Sequence, residues 1–386
     1  METRKLYYED CMRNRFTAQV LTCEEREKGY AVTLSETCFY PEGGGQASDT
    51  GILGTARVLH VREVGEAVEH LCDKPLTVGD TVEGTIDFDR RFDGMQAHTG
   101  EHILSGLIHA RFGYDNMGFH MGKEVMEVDF DGLLTAEDLA LLEKEANEAV
   151  WANLPVRAWI PSQEALPHLV YRSKRALPWP VRIVEIPGID SCACCGVHTA
   201  TTGQVGVIKI LSCVKFRQGV RLELVCGRKA LEYLQNVFEQ NRQVSQLLSA
   251  KMLETGTAAK RMLDTLNAEK YRAAGLQRKI FDTVAEGCRG KTNVLHYAQD
   301  LTPGGVRELA QAIASKIGGI AAVYAGSDAS GYCICLLSEH TEVQTLGSAL
   351  RSALNLRGGG KKEAFQGTLQ VSKAQIEAFF ANVWKE

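Results

Sequence analysis

The chain lacks any uninterrupted apolar stretch near the roughly 20 residues that a membrane span requires, so no spanning helix is expected. Its first residues, METRKLYYEDCMRNRF, hold neither an apolar run nor a small-residue cleavage site, and no secretory signal is visible. An excess of positive charge is missing too. The 43 Lys and Arg stand against 48 Asp and Glu, a formal charge of −5 that argues against indiscriminate binding to nucleic acid. RNA is not excluded as a partner, because a basic groove can sit on an acidic protein. No internal repeat or low-complexity tract stands out. The 12 cysteines are scattered except at 192–195, unlike the framework of a short secreted scaffold. Mostly free thiols and a cytoplasmic location, with no membrane partner, are the expectation.

At 386 residues, two to four domains are expected, and 45% hydrophobic with 24% charged residues is ordinary for a globular protein. Residues 1–90 alternate apolar and polar in AVTLSET, GILGTARVLHV and DTVEGTIDF around the loop FYPEGGGQASDTG, which predicts a small N-terminal β-barrel. In RFDGMQAHTGEHILSGLIHARF (91–112), Met95, His98, His102 and Ile108 recur near helical spacing. With a second helix over 136–151 and strands around it, residues 91–228 read as an α+β domain. Residues 229–288 carry Leu234, Val237, Val244 and Leu248, then Met262, Leu266, Leu276, Ile280 and Val284. A break at Thr255-Gly256-Thr257 predicts an antiparallel helical hairpin. Residues 289–386 mix buried strands (GGIAAVYAG, GYCICLLS) with helices and read as an α/β domain, so the fold class is α+β, multidomain.

His98 and His102 stand i, i+4, so on a helix both imidazoles leave one face about a turn apart and can share a metal. The segment DSCACCGVHTATTGQVG supplies a second pair of ligands, a thiolate and an imidazole in a glycine-containing turn. Four N and S donors from two distant segments is a common way to hold zinc. Cys194 gives C-x-x-x-H with His198 and Cys195 gives C-x-x-H; spacing does not choose between them, and Cys192 is a distant third. Glu101 completes the H-x-x-E-H pattern of inverzincin metallopeptidases, but there the further ligand is a carboxylate rather than a Cys–His turn.

Four stretches resemble one family. FYPEGGGQASDTG (39–51), RRFDGMQAHTGEHILS (90–105) and CACCGVHTATTGQVGVIKI (192–210) are similar to the editing module of alanyl-tRNA synthetase and to long-form AlaX alanyl-tRNA editing proteins. RGGGKKEAFQG (357–367) is similar to the Gly-rich signature of the synthetase's C-terminal DHH-associated domain, with a shorter glycine run and two lysines. The resemblance implies a Zn2+-dependent hydrolase that deacylates tRNA(Ala) mischarged with serine, or secondly glycine. It implies His98, His102, Cys194 and His198 as metal ligands, which favours Cys194, and it assigns Gln46 to the editing pocket. Room for a synthetase core ahead of residue 90 is lacking, so editing without aminoacylation or ATP is expected.

Ester hydrolysis needs an activated water and a group to hold the developing oxyanion. Glu101 is the candidate base, against a solvent-facing helix residue, with Gln46 beside it. Thr37 and Gln46 are candidate readers of the serine hydroxyl. Gly43, Gly44 and Gly45 permit close backbone approach to a ligand, but they lack the Lys-Ser/Thr continuation of a P-loop. His120, in GFHMG, is either near the pocket or a satisfied structural histidine. The helical hairpin and C-terminal domain are expected to grip the tRNA body or to form a homodimer. The competing reading is a non-catalytic RNA-binding protein with a structural zinc.

Overall fold

Residues 2–173 and 177–385 are described by the computed structural model, which divides into two compact units, Met1–Val244 and Ser245–Glu386. The first begins with β1 (Arg4–Lys5), a single helical turn α1 (Leu6–Glu9), β2 (Arg15–Arg26), β3 (Gly29–Leu34), β4 (Glu36–Thr37), β5 (Gly51–Leu53), β6 (Ala56–Val64), β7 (Ala67–Cys72) and β8 (Thr81–Ile86). Six of these form one antiparallel sheet, ordered β2-β3-β7-β6-β5-β8, that closes on itself because β8 pairs with both β2 and β5. The alternation read in the sequence is the cause: Phe16, Ala18 and Val20 of β2 point inward to meet Val32, Leu34, Val58 and Val61, and closure leaves these six strands no edge.

α2 (Phe88–Phe112) follows, capped by Asp87, whose side chain accepts from Arg90 N, and ended by Gly113 at φ 71. Then come β9 (Asn116–Met121), β10 (Met126–Phe130), α3 (Ala136–Trp151), β11 (Arg157–Trp159), β12 (Ile183–Ile186), β13 (Asp190–Ala193), β14 (Ile208–Phe216) and β15 (Gly219–Cys226). α2 and α3 cover a four-stranded sheet, β14-β15-β10-β9, with Ile103, Leu104, Ile108, Leu142 and Ala146 against Val128, Leu222 and Leu224. β11-β12-β13 form a separate small sheet. α2 is buried around most of its circumference from Met95 to Ile108, so its polar residues there must be satisfied by protein.

The unit boundary falls near the end of α4 (Gly227–Leu247). The second unit holds α5 (Thr255–Glu286), β16 (Val294–Tyr297), α6 (Pro303–Ala314), β17 (Ala321–Ser327), β18 (Gly331–Leu337), α7 (Gln344–Leu354), β19 (Arg357–Gly360), β20 (Ala364–Leu369) and α8 (Lys373–Val383). Its sheet runs β16-β17-β18-β20-β19, with α6 as the crossover between the parallel pair β16–β17. Val323 and Cys335 face α5 and α6 on one side; Tyr324, Ile334 and Phe365 face α7 and α8 on the other. The helix break differs from the expectation. It lies at 248–254, where Ser249 takes φ 47, and Thr255-Gly256-Thr257 form the first turn of α5. No described helix is long and apolar enough to cross a membrane.

The closed sheet and α2 are joined by a buried ion pair. Arg91 donates to both oxygens of Asp49 and to the carbonyls of Cys38 and Cys11, with its side chain fully buried. Removing one partner strands the other charge, so Arg91→Met is expected to cost about 3–5 kcal/mol. Urea unfolding followed by far-UV circular dichroism reads this; a loss under about 1 kcal/mol would mean that Asp49 is satisfied without the guanidinium.

Candidate metal centre

His98, Glu101, His102 and Ser105 recur at i, i+3, i+4 and i+7, so one face of α2 carries all four. The turn after β13 brings Cys194 and His198 to that face. Cys194 Sγ lies 3.4 Å from His98 Nε2 and 3.5 Å from His198 Nε2, and the ring centroids of the three histidines are 4.4–5.3 Å apart. One donor atom from each of His98, His102, Cys194 and His198 falls within 4.8 Å of every other, so the group can hold a metal ion.

Each imidazole is held from behind. His98 Nδ1–H donates to Gln46 Oε1 at 3.2 Å and His102 Nδ1–H to Asp190 Oδ2 at 2.9 Å, while His198 Nδ1 pairs with Thr99 Oγ1 at 3.3 Å. Oxygens that only accept fix the proton on Nδ1 of His98 and His102, which leaves Nε2 for the cluster. Asp190 is itself held by two bonds from Arg172, at 2.8 and 2.9 Å.

Burial works against a thiolate at Cys194, yet the charge of His98, the hydrogen bond and charge of His102 and the hydrogen bond of His198 bring its pKa well below 9.0. Burial likewise opposes a proton on His102, and the Asp190 carboxylate and the Cys194 thiolate outweigh it, holding its pKa well above 6.5. His198 is pushed down to about 3 by burial and by His98. The neighbouring thiols go the other way: burial pushes Cys192 up to about 11 and also raises Cys195. The ligand form of sulfur is the thiolate, so electrostatics and distance both select Cys194. Cys195 Sγ faces away, toward Gly43 and Gly44. Cys192 groups instead with His102 and Asp190.

The glycine loop closes over the cluster. Gly43 and Gln46 form a two-residue hairpin with N···O distances of 3.1 and 2.9 Å, and the central Gly44 and Gly45 take φ +58 and +81. Positive φ at both central residues is what a type I′ turn demands, which accounts for the glycines. Tyr40 OH donates to Gly43 O and Cys195 O, and Tyr8 OH to Cys195 O at 2.7 Å. Gly196 is required by contact: a Cβ there would lie 2.1 Å from His98 Cε1.

Glu101 is buried rather than solvent-facing. One oxygen accepts from Ser105 Oγ and Asn116 Nδ2; the other is 3.9 Å from His102 Nε2. Gln46 Oε1 accepts from Val197 N as well as from His98. Thr37 is engaged within the closed sheet, its hydroxyl between His70 Nε2 at 2.8 Å and Phe39 N at 3.1 Å, and none of these partners belongs to the cluster. His120 is exposed on β9, and it is the adjacent Phe119 that stacks on His98 at 5.2 Å. Sequence reasoning missed Asp190, Arg172, Thr99 and Asn116. Asp190 stands four residues before Cys194, a signal that could have been read; Asn116 offered none. Its Oδ1 is buried without a hydrogen-bond partner among the described residues.

The family described as tRNA synthetases class II (A) matches residues 3–90, and that described as threonyl and alanyl tRNA synthetase second additional domain matches residues 181–222, which include Cys194 and His198. The chain is 28% identical over 397 residues to the alanyl-tRNA editing protein Aarsd1 of Mus musculus, covering 96% of this chain and 95% of the relative. It is 26% identical over 397 residues to Aarsd1-B of Xenopus laevis, covering 97% and 96%. To the alanine–tRNA ligase of Thermofilum pendens it is 30% identical over 402 residues, spanning 97% of this chain but only 44% of the ligase's length. Along nearly all of its own length the chain is thus similar to alanyl-tRNA editing proteins, and it matches less than half the length of an alanine–tRNA ligase.

Proposed function

We propose that this protein is a zinc-dependent trans-editing hydrolase that deacylates mischarged tRNA(Ala), chiefly the seryl ester and secondly the glycyl ester. The observation that carries the reading is the convergence of three imidazole nitrogens and one thiolate. Zinc bonds of about 2.3 Å to sulfur and 2.0–2.1 Å to nitrogen make a tetrahedron whose S···N edges are about 3.6 Å. The edges at Cys194 are 3.4 and 3.5 Å, so the donor set fits that ion. The relatives named as alanyl-tRNA editing proteins support the substrate class.

His98, His102, Cys194 and His198 would hold the zinc, and when bound it supplies Lewis acidity next to the ester. The remaining work falls to the chain's own groups. Glu101 has one oxygen tied to Ser105 and Asn116 and one free beside His102. The free oxygen takes the proton of the water that attacks the ester carbonyl and returns it to the departing ribose oxygen. Gln46 and Asp190 keep His98 and His102 from turning. Preference for serine over alanine requires a buried polar group that alanine would leave unpaired, and Asn116 Oδ1 meets that description.

One observation favours a second reading. Four protein donors close a tetrahedral site, as in structural zinc, and a non-catalytic RNA-binding protein would need nothing more. Hydrolysis of Ser-tRNA(Ala) beside Ala-tRNA(Ala), with and without a chelator, separates the two. Chelator-sensitive loss of serine alone is the expected result; stability of both esters at stoichiometric zinc would sink the enzyme. Glu101→Gln is expected to lower kcat about 10²–10⁴-fold while zinc content and tRNA affinity stay. Unchanged turnover would remove Glu101 from the chemistry.

The ligand set has its own test in metal content per chain. Cys194→Ala is expected to lose the zinc and Cys195→Ala to keep it. Asp190→Asn, which takes the acceptor from behind His102, is expected to weaken zinc about 10–100-fold in chelator competition. Full zinc retention by Cys194→Ala would instead match the H-x-x-E-H peptidase pattern.

A further inference from the structure

A cleft of about 390 Å³ opens beside the histidine cluster, one turn earlier on α2. Arg90, Gly94 and Ala97 of α2 form one wall; Lys123, in the turn between β9 and β10, and Lys229, in the first turn of α4, form another; Gln46 closes the end toward His98. The volume is within the range of about 300–1,000 Å³ that ligand sites occupy.

Its charge is positive although the chain is acidic. Arg91 is neutralised by Asp49, and Asp93 by Arg228 at 2.9 Å. Arg90, Lys123 and Lys229 then remain against Glu124. Arg90 and Lys229 are steadied by backbone carbonyls, those of Ser48 and of Gly122 and Lys123, and none of the three cations has an ion pair among the described residues. The N-terminal turns of two long helices, α2 and α4, also border the cleft, and the positive ends of their dipoles favour an anion.

An independent observation points to a ligand. Gln46 is 97% buried, at 3% exposure. Its Oε1 is fixed by Val197 N and His98, which sets the amide's orientation; its Nε2 has no hydrogen-bond partner among the described residues. That Nε2 lies 3.1 Å from where a Gly94 Cβ would be, on the wall that both residues share. Nε2 is not sealed inside the protein, so an acceptor that enters the cleft can reach it.

We propose that this cleft binds the phosphodiester backbone of the single-stranded 3′ end of the RNA, with Gln46 Nε2 donating to its terminal nucleotide. This rests on the reading of the metal centre as the site where that RNA's terminal ester is cut. Arg90, Lys123 and Lys229 offset the phosphates, and Gln46 ties the seat of the last nucleotide to the orientation of His98. Gly94 leaves the room in which the amide and the sugar meet.

The test is fluorescence anisotropy of a 5′-labelled single-stranded RNA heptamer ending in CCA, titrated with the full zinc-loaded chain at several salt concentrations. Lys123→Glu and Lys229→Glu are each expected to weaken binding at least about fivefold and to lower the salt slope by about 0.7 per cation lost. Lys74→Glu, an exposed lysine outside the cleft, is expected to change neither. Lys123 is exposed on a turn, so its variant keeps the fold, and thermal melting checks this. Equal affinities across wild type, Lys123→Glu and Lys229→Glu would overturn the proposal, as would no binding by wild type. With Ser-tRNA(Ala), the variants are expected to raise KM more than they lower kcat. Heptamer binding that needs the lysines, without any ester hydrolysis, would sink the enzymatic reading and leave the subsite standing. Hydrolysis indifferent to the lysines would do the reverse.

Discussion

A thiolate buried among three imidazoles is the contact on which the first unit turns. A lone charge at Cys194 would be expelled from so dry a place. It is tolerated because His98, His102 and His198 approach within hydrogen-bond or Coulomb range, and each of those rings is fixed by a different part of the chain. Gln46 comes from the loop after β4, Asp190 from β13 and Thr99 from α2 itself. The centre therefore acts as a knot: three segments far apart in sequence must all be folded before any of its polar atoms is satisfied.

The buried Arg91–Asp49 pair extends that dependence outward. Asp49 ends the glycine loop and also accepts from Tyr40 N, while Arg91 sits two turns before His98. One guanidinium thus registers the closed sheet against α2, and with it the distance from Gln46 to His98. Gly44, Gly45 and Gly196 permit the approach, since side chains there would meet Cys195, Phe119 and His98. Precision at the candidate metal centre is set by packing remote from it.

How far this was legible in the sequence differs from one element to the next. His98 and His102 could be read because helical period is local: four residues fix one face. The strand alternation of residues 15–86 could be read for the same reason. Cys194 against Cys195 could not, because in an irregular turn a shift of one residue decides which sulfur points inward, and spacing carries no such sign. Thr37 was sought at the site and is spent on His70. His120 was sought there, but a strand alternates, and Phe119 took the inward position. Asn116 and Arg172 meet their partners only after α2 has packed on the sheets, so no local pattern announces them.

The division of labour at Glu101 is the last consequence of this geometry. A carboxylate on the buried face of a helix, beside a cluster that already carries a thiolate, is unfavourable unless it is held. Ser105 one turn on and Asn116 from β9 hold one oxygen, and neither supplies a full charge. The second oxygen has no hydrogen-bond partner among the described residues and lies 3.9 Å from His102 Nε2. A purely structural metal site gains nothing from a buried carboxylate with a free oxygen, since an alanine there would remove the desolvation cost. A hydrolytic site would need such an oxygen next to the ester, and among the described residues the other carboxylate at the cluster, Asp190, has none, because both its oxygens are taken by His102 and Arg172.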